Sequence, residues 1–122
     1  MPEFHMIQLV PEDLDEFTKA YLEAVAFTDE QQWEEDSPIP EFSEEFLERA
    51  RQDCKKFQEE NEALLQGLNT QQCGHDFWLT RCGHGAGFWD RGLGEVGDKL
   101  TEAAKKFGNI DTYIGDDWRI YA

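Results

Sequence analysis

Apolar side chains recur every three or four residues over residues 11–28, a spacing typical of one buried helix face. Pro11 suits the first position of this helix, and the acids that follow it suit the helix's positive end. The sequence therefore predicts a first helix over 11–28. The positions that form its apolar stripe are Leu14, Phe17, Tyr21 and Val25.

A second helical stripe begins after Ser43, a residue that suits the N-cap position. Phe42 and Leu47 occupy the two positions of a hydrophobic staple around that cap. The apolar spacing continues to Leu64, and Gly67 supplies a stop. Cys54 lies in the middle of the stripe and is interpreted as a buried structural thiol. The stripe comprises Phe46, Ala50, Cys54, Phe57, Asn61 and Leu64.

The second half of the chain alternates between apolar and polar positions and is rich in glycine. Residues 76–82 predict a strand, and 88–90 could open a second one. Residues 95–107 predict a third helix, and 111–121 predict a closing hairpin. We expect an α+β fold in which two N-terminal helices and a third later helix pack on a small antiparallel sheet of three to four strands.

The chain has 122 residues, 13% of them aromatic, enough for one packed domain without metal or disulfide support. Glu-Phe and His-Met in the opening are what two common cloning sites encode. Residues 1–5 are therefore interpreted as vector-derived, and 6–122 as a single domain. No membrane-spanning run or secretory signal is recognised, and three cysteines suggest free thiols in a reducing cytoplasm. No cofactor is expected.

Negative charge is extreme and concentrated in the first half. The net charge is −16, and ten acids and no base lie between Lys19 and Arg49. Such a field repels nucleic acid and anionic membranes and attracts basic protein surfaces, although solvated helix faces would look similar. The acids assigned to this acidic surface are Asp29, Glu30, Glu34, Glu35, Asp36, Glu41, Glu44, Glu45 and Glu48.

Residues 75–91 combine large aromatics with histidines, acids, arginines and three closely spaced glycines. A histidine with a carboxylate can form a general-base unit, so this segment is an alternative catalytic or ligand site. The competing interpretation is that its charged groups form ion pairs within the fold. The candidate side chains are His75, Asp76, Arg81, His84, Trp89, Asp90 and Arg91.

Two copies of Cys-Gly-His raise the question of zinc, because two thiols and two imidazoles are a suitable ligand set. A strand between the copies would hold Cys73 and His75 about 20 Å from Cys82 and His84, so no metal site is favoured. Glycines 83–87 lack the helix start and the Lys or hydroxyl that a phosphate loop requires. They are expected to let the backbone pass close to the ring of Trp78 or Trp89.

Residues 75–121 resemble a widespread group of small proteins encoded by bacteriophages, prophages and plasmids. The resemblance rests on His-Asp-Phe-Trp-Leu-Thr-Arg, on Gly-His-Gly-Ala-Gly-Phe-Trp-Asp-Arg-Gly, on Gly-Asp-Lys-Leu-Thr-Glu-Ala-Ala and on Tyr-Ile-Gly-Asp-Asp. It implies an origin in a mobile element, action in the host cytoplasm, and a role in host takeover or counter-defence. It implies no catalytic residue.

The leading hypothesis is a non-enzymatic acidic protein that binds a host or phage protein with a basic surface and mimics nucleic-acid charge. It is not expected to bind nucleic acid or a membrane, and the pattern does not decide its oligomeric state. One alternative is a small enzyme or ligand-binding domain that uses the His75–Arg91 segment. Another is a zinc-stabilised binding module.

Overall fold

The computed structural model describes residues 14–29, 40–83, 87–110 and 112–122. Within these ranges the chain forms five α-helices and a small three-stranded sheet, so the α+β class is confirmed. The predicted vector-derived segment 1–5 and Pro11 lie outside the described residues. The prediction of a first helix over 11–28 is wrong at Leu14 and Asp15, which are not helical; Asp15 instead caps the helix that begins at Glu16. The elements are α1 (Glu16–Asp29), β1 (Glu41–Phe42), α2 (Glu44–Glu60), α3 (Glu62–Leu65), α4 (Thr70–Cys82), α5 (Glu95–Lys105), β2 (Tyr113–Ile114) and β3 (Arg119–Tyr121).

The N-terminal cap of α2 forms as predicted. Ser43 is extended, and its Oγ accepts a hydrogen bond from the backbone N–H of Phe46 at 3.1 Å. The prediction of one helix from Ser43 to Gly67 is wrong at Asn61, which separates α2 from α3. Both the backbone N–H and the side-chain amide of Asn61 donate to the carbonyl of Phe57, and this local competition interrupts the helix.

Residues 76–82 do not form a strand; they belong to the helix α4. Its first turn is capped by Asn69, whose side chain accepts from the N–H of Gln72 at 2.9 Å. Gly83 ends it in the left-handed conformation, at φ 67°. Side chains on nearly every side of α4 are buried, so the helix lacks the one-sided apolar stripe that identifies surface helices.

Residues 88–90 form one turn of 3-10 helix, and the predicted second strand is wrong. Phe88 is fully buried, whereas the neighbouring Trp89 is 45% exposed. A short turn between two helices places consecutive side chains on different sides. Phe88 therefore takes the interior position and Trp89 lies at the surface.

The sheet is mixed rather than antiparallel, with strand order β1–β3–β2. β2 and β3 form the predicted closing hairpin, but β1 pairs with β3 in parallel. The register places Phe42 and Ile114 beside Ile120, which is fully buried. Because successive side chains of a strand point to opposite faces, the neighbouring residues lie on the outer face of the sheet. This outer sheet face consists of Glu41, Arg119, Tyr113 and Tyr121.

Aromatic rings form the centre of the core. Phe57 is fully buried and stacks on Phe77 with ring centroids 4.2 Å apart. A domain this small is expected to bury its large aromatics, Phe46, Phe57, Trp78 and Trp89 among them, in one cluster. The first three are buried in the main core and Trp89 is not. Cys54 is also fully buried there, as predicted. No helix in the described ranges combines the length and apolar character needed to cross a membrane.

Candidate functional site

Asp76 is buried in the interior and held by one charged partner. Its carboxylate is 1% exposed and receives hydrogen bonds from Nε and Nη2 of Arg91, at 3.0 and 2.8 Å to Oδ1. The amide of Gln72 donates to the same oxygen at 3.2 Å. Hydrogen bonding to Asp76 raises the pKa of the Arg91 guanidinium. This two-pronged pair ties the turn after α4 back onto the helix.

Arg81 is also directed into the protein, with a side chain only 1% exposed. Its Nη1 donates to Asp53 at 2.8 Å and to the hydroxyl of Tyr21 at 2.9 Å. Its remaining nitrogens donate to the carbonyls of Phe107 and Gly108. Burial raises the pKa of Tyr21, which stays a neutral hydroxyl able to accept this bond. Arg81 thus links α1, α2 and the end of α5.

The remaining members of the His75–Arg91 segment do not converge on these two arginine pairs. His75 lies 3.7 Å from Glu23 on α1, and its side chain is 37% exposed. Trp89 and Asp90 are exposed on the 3-10 turn. His84 lies outside the described residues. The structure therefore distributes the candidate set over separate surroundings, and its two most buried charged members serve as interior ion pairs.

The four residues considered for zinc are not brought together in the described part of the chain. Cys73 and Cys82 lie nine residues apart on α4, about 13 Å along the helix axis. Ligands of one zinc ion lie within about 4 Å of each other. Burial also raises the pKa of the Cys73 thiol to about 11, which disfavours the thiolate that zinc binds. Over the described residues, no group of three or more metal-ligating side chains occurs.

Gly87 allows the close backbone approach that the sequence analysis expected for glycines 83–87. A Cβ atom at this position would overlap the ring of Trp89 and would lie 2.5 Å from Oγ1 of Thr80. A side chain here would force the 3-10 turn away from α4. The glycine therefore serves packing, and residues 84–86 lie outside the described ranges.

The described members of the acidic surface are all exposed. Glu41 lies on β1, and Glu44, Glu45 and Glu48 lie on the first two turns of α2. On α2 these acids face away from the buried row that contains Phe46 and Ala50. The carboxylates of Glu30, Glu34, Glu35 and Asp36 lie outside the described residues, as does the side chain of Asp29.

The described acids of this surface form no ion pairs with described cations. Two carboxylates nearer the core do face cations, Asp53 with Arg81 and Asp76 with Arg91. Within the described ranges, no ion pair joins Glu41, Glu44, Glu45 or Glu48 to a cation. Glu48 accepts a hydrogen bond from the neutral amide of Gln52. Glu44 and Glu45 lie in the first turn of α2, where the positive end of the helix dipole stabilises a carboxylate.

Two shallow cavities of about 390 and 460 Å³ lie between the end of α2 and α5. Neither is lined by a residue of the His75–Arg91 segment or of the acidic surface. Their walls mix acids with lysines and contain no serine, threonine, cysteine or histidine. They therefore offer no support for a catalytic site. The residues shared by the two cavities are Asn61, Ala103 and Lys106.

The outer sheet face was not assigned to a site by the sequence analysis. Tyr113 is 58% exposed and stacks on Tyr121, with ring centroids 5.7 Å apart and planes inclined by 17°. The Tyr121 hydroxyl donates to Asp117 at 2.6 Å, and this bond is the main cause of the raised pKa of Tyr121. The signal was available, since a hairpin with tyrosines on opposite strands predicts such a pair.

No protein-family model, curated protein or solved structure matches the chain.

Proposed function

We propose that this chain is a small acidic binding protein whose target is a basic surface of a host or phage protein. The observation that carries the proposal is the set of exposed carboxylates at Glu41, Glu44, Glu45 and Glu48, none of which forms an ion pair with another described residue. Clustered negative charges repel one another and lower the stability of the folded protein. A positively charged partner would reduce this repulsion when it binds.

The distribution of charge over the chain supports the same proposal. The net charge of −16 comes mainly from residues 6–66, which hold 18 acids and five bases. A row of carboxylates on a rigid helix presents negative charge in fixed positions, as phosphates do on nucleic acid. We therefore propose that the protein competes with nucleic acid for its partner. From the resemblance of residues 75–121 to proteins of mobile elements, we further propose that this competition serves host takeover or counter-defence.

A catalytic function is not proposed, because the most buried charged residues of the alternative site have structural partners. Asp76 is buried and accepts from Arg91 and Gln72, and Arg81 is buried and donates to Asp53, Tyr21 and two carbonyls. A general base needs a free lone pair beside the substrate. A zinc-stabilised module is not proposed either, because α4 separates the two cysteines.

The test is capture of proteins from host lysate at low salt, followed by affinity measurement with the purified partner. We expect affinity to fall as salt rises, because screening shortens the field to about 8 Å at physiological ionic strength. Duplex DNA should displace the partner. Neutralising Glu44, Glu45 and Glu48 to Gln should weaken binding about tenfold, since exposed ion pairs contribute roughly 0.2–1 kcal/mol each.

The matched control neutralises Glu59, Glu60 and Glu62, which are exposed and change the net charge by the same amount. It should leave affinity nearly unchanged. A third variant reverses Glu34, Glu35 and Asp36 to Lys and tests the part of the acidic surface outside the described residues. Affinity that is independent of salt and equal for all variants would show that the carboxylates only keep the protein soluble.

A further inference from the structure

The outer sheet face combines exposed aromatic rings with carboxylates. Two tyrosines from opposite strands, Tyr113 and Tyr121, lie face to face, and Arg119 and Glu41 complete the face. An aromatic pair on an exposed face gains little free energy from burial, yet these two tyrosines are the largest side chains of the face. Tyrosine is enriched at protein interfaces because it offers a wide, rigid ring with few rotatable bonds.

The Tyr121 ring is held in a fixed orientation, and Tyr113 stacks on it. Asp117 accepts from the Tyr121 hydroxyl and from the backbone N–H of Arg119, so one carboxylate anchors both the ring and the turn. Gly115 lies directly against the Tyr121 ring, and a Cβ atom there would come within 2.7 Å of it. A ring fixed in advance loses less conformational entropy on binding.

Negative charge surrounds the tyrosine pair. Glu45 lies close enough to Tyr121 to contribute to its raised pKa, and Asp116 and Asp117 form the adjoining turn. Glu41 lies on the neighbouring strand. Among the described residues of this face and its border, Arg119 is the one cation against four acids. The face therefore favours a positively charged group.

No described cation of the chain lies over the ring of Tyr113 or Tyr121. In the described residues, cation–π contacts join Arg81 and Lys56 to Phe77 and Phe107 in the body of the protein. None of them involves Tyr113 or Tyr121. A planar guanidinium can stack on an aromatic ring and donate two parallel hydrogen bonds to a carboxylate, which an ammonium cannot do.

We propose that the outer sheet face binds an arginine side chain presented by a basic segment of the partner protein. The inference rests on the proposed function and names the point at which the partner is recognised. The guanidinium stacks on the Tyr113 ring and donates to the carboxylates that border it. The acidic surface on α2 attracts the rest of the basic segment.

The test uses a disordered peptide of Arg-Gly-Ser repeats and a matched Lys-Gly-Ser peptide at low salt. Titration calorimetry gives the two affinities, and amide chemical shifts of the labelled protein locate the site. We expect the Arg peptide to bind about threefold to tenfold more tightly than the Lys peptide. The largest shift changes should fall on Tyr113, Arg119 and Tyr121.

Four variants separate ring, hydroxyl and charge. Tyr113→Ala should weaken binding of the Arg peptide by about threefold to tenfold, whereas Tyr113→Phe keeps the ring and should retain affinity. Asp117→Asn keeps an acceptor for the turn but removes a charge, so it should also weaken binding. Phe27→Ala removes another exposed ring, 60% accessible on α1, and should have no effect.

The inference is overturned if the Arg peptide does not bind, if Tyr113→Ala and Tyr113→Phe bind it equally, or if the two peptides bind equally well. It is also overturned if the same amides shift on dilution without peptide, because a second copy would then occupy the face. Binding that weakens with salt and with Glu44→Gln and Glu48→Gln, but not with Tyr113→Ala, would overturn this inference alone. The proposed function fails separately, if the captured partner binds without salt dependence.

Discussion

The guanidinium of Arg81 and the hydroxyl of Tyr21 meet in the interior, with Nη1 2.9 Å from the phenol oxygen. The same guanidinium donates to Asp53 and to two backbone carbonyls, so its charge is offset only by a carboxylate that is 22% exposed. A buried cation with this many partners makes the packing of α1, α2 and α4 interdependent.

Replacement of Arg81 by Met should therefore destabilise the protein by about 3–5 kcal/mol, because it leaves the surrounding polar groups without their donor. Urea unfolding followed by circular dichroism measures this loss. Tyr21→Phe removes one hydrogen bond and should cost only about 1 kcal/mol. Equal losses for the two variants would show that the arginine contributes no more than its bond to Tyr21.

Phe57 is the side chain on which the aromatic core centres. It is fully buried and contacts the rings of Phe17, Phe77, Phe88 and Phe107. Phe57→Ala should cost about 3–5 kcal/mol in unfolding free energy. Phe27→Ala, at an exposed position, is the control and should change stability by less than about 1 kcal/mol. A loss below about 1 kcal/mol at Phe57 would mean that α2 is peripheral to the core.

Gly74 lies where α4 crosses α1, the most extensive contact between described elements. A Cβ atom there would overlap the carbonyl of Phe17 and lie 2.8 Å from Cβ of Ala20. Gly→Ala within a helix ordinarily stabilises by roughly 0.5–1 kcal/mol. Here we expect a loss of about 1–3 kcal/mol, because the two helices must separate.

The control for Gly74→Ala is Gln71→Ala, an exposed substitution on the same helix that should change stability by less than about 0.5 kcal/mol. Thermal or urea unfolding of the two variants gives the comparison. Stabilisation by Gly74→Ala would contradict the close crossing of α1 and α4.

Asp15 caps α1 and makes a pH-dependent contribution to stability. Burial raises the pKa of this carboxyl, but hydrogen bonds from Thr18 and Gln58 outweigh it and bring the pKa below the ordinary 3.8. A carboxyl whose pKa is lowered by folding stabilises the protein above its unfolded pKa. That stabilisation is lost as the pH falls below about 3.8 through the folded value.

Asp15→Asn retains an N-cap acceptor for Thr18 but removes the charge and the second oxygen, which accepts from Gln58. The variant should be less stable than the wild type near neutral pH, and the two stability curves should converge as the pH falls below about 3.8. Urea unfolding at a series of pH values, followed by tryptophan fluorescence at low protein concentration, provides the curves. A constant difference across the series would contradict the charge contribution.

Protein purified without added metal should contain no stoichiometric zinc, and a chelator should leave its melting temperature unchanged. The reason is that α4 holds Cys73 and Cys82 apart, and that burial raises the pKa of Cys73. Native mass spectrometry measures the metal content. One equivalent of zinc that persists in a Cys73→Ser variant would indicate other ligands, and one that is lost in it would show that α4 rearranges.

The parts of the fold that the sequence predicted are those with local signals. Ser43 with its helix, the helix from Glu95 and the closing hairpin each have a cap or a repeating period nearby. α4 was misread as a strand because buried side chains surround it and leave no single apolar stripe. The caps Asn69 and Gly83 were the evidence for a helix.

The candidate site was harder to predict than the fold. Asp76, Arg81 and Arg91 were grouped as one candidate site because they are neighbours in the chain, and ion pairs within the fold were the competing interpretation. Arg81 is engaged in an ion pair with Asp53, which lies on a different helix, and is therefore not available to bind a ligand. Pairing between distant residues depends on helix packing, which local patterns do not encode. The tyrosine pair, in contrast, follows from the hairpin register.

The parallel pairing of β1 with β3 joins Glu41 to Arg119, two segments separated by more than half of the chain. Contacts of such long sequence separation form late in folding, because the entropy cost of closing a long loop comes before the contacts stabilise the chain. The strands are also short, so the sheet should open locally before the helical body does. The outer sheet face would thus have its own equilibrium between a paired and an open state. In hydrogen exchange, the Ser43 amide, which donates to the Ile120 carbonyl, would report that opening directly.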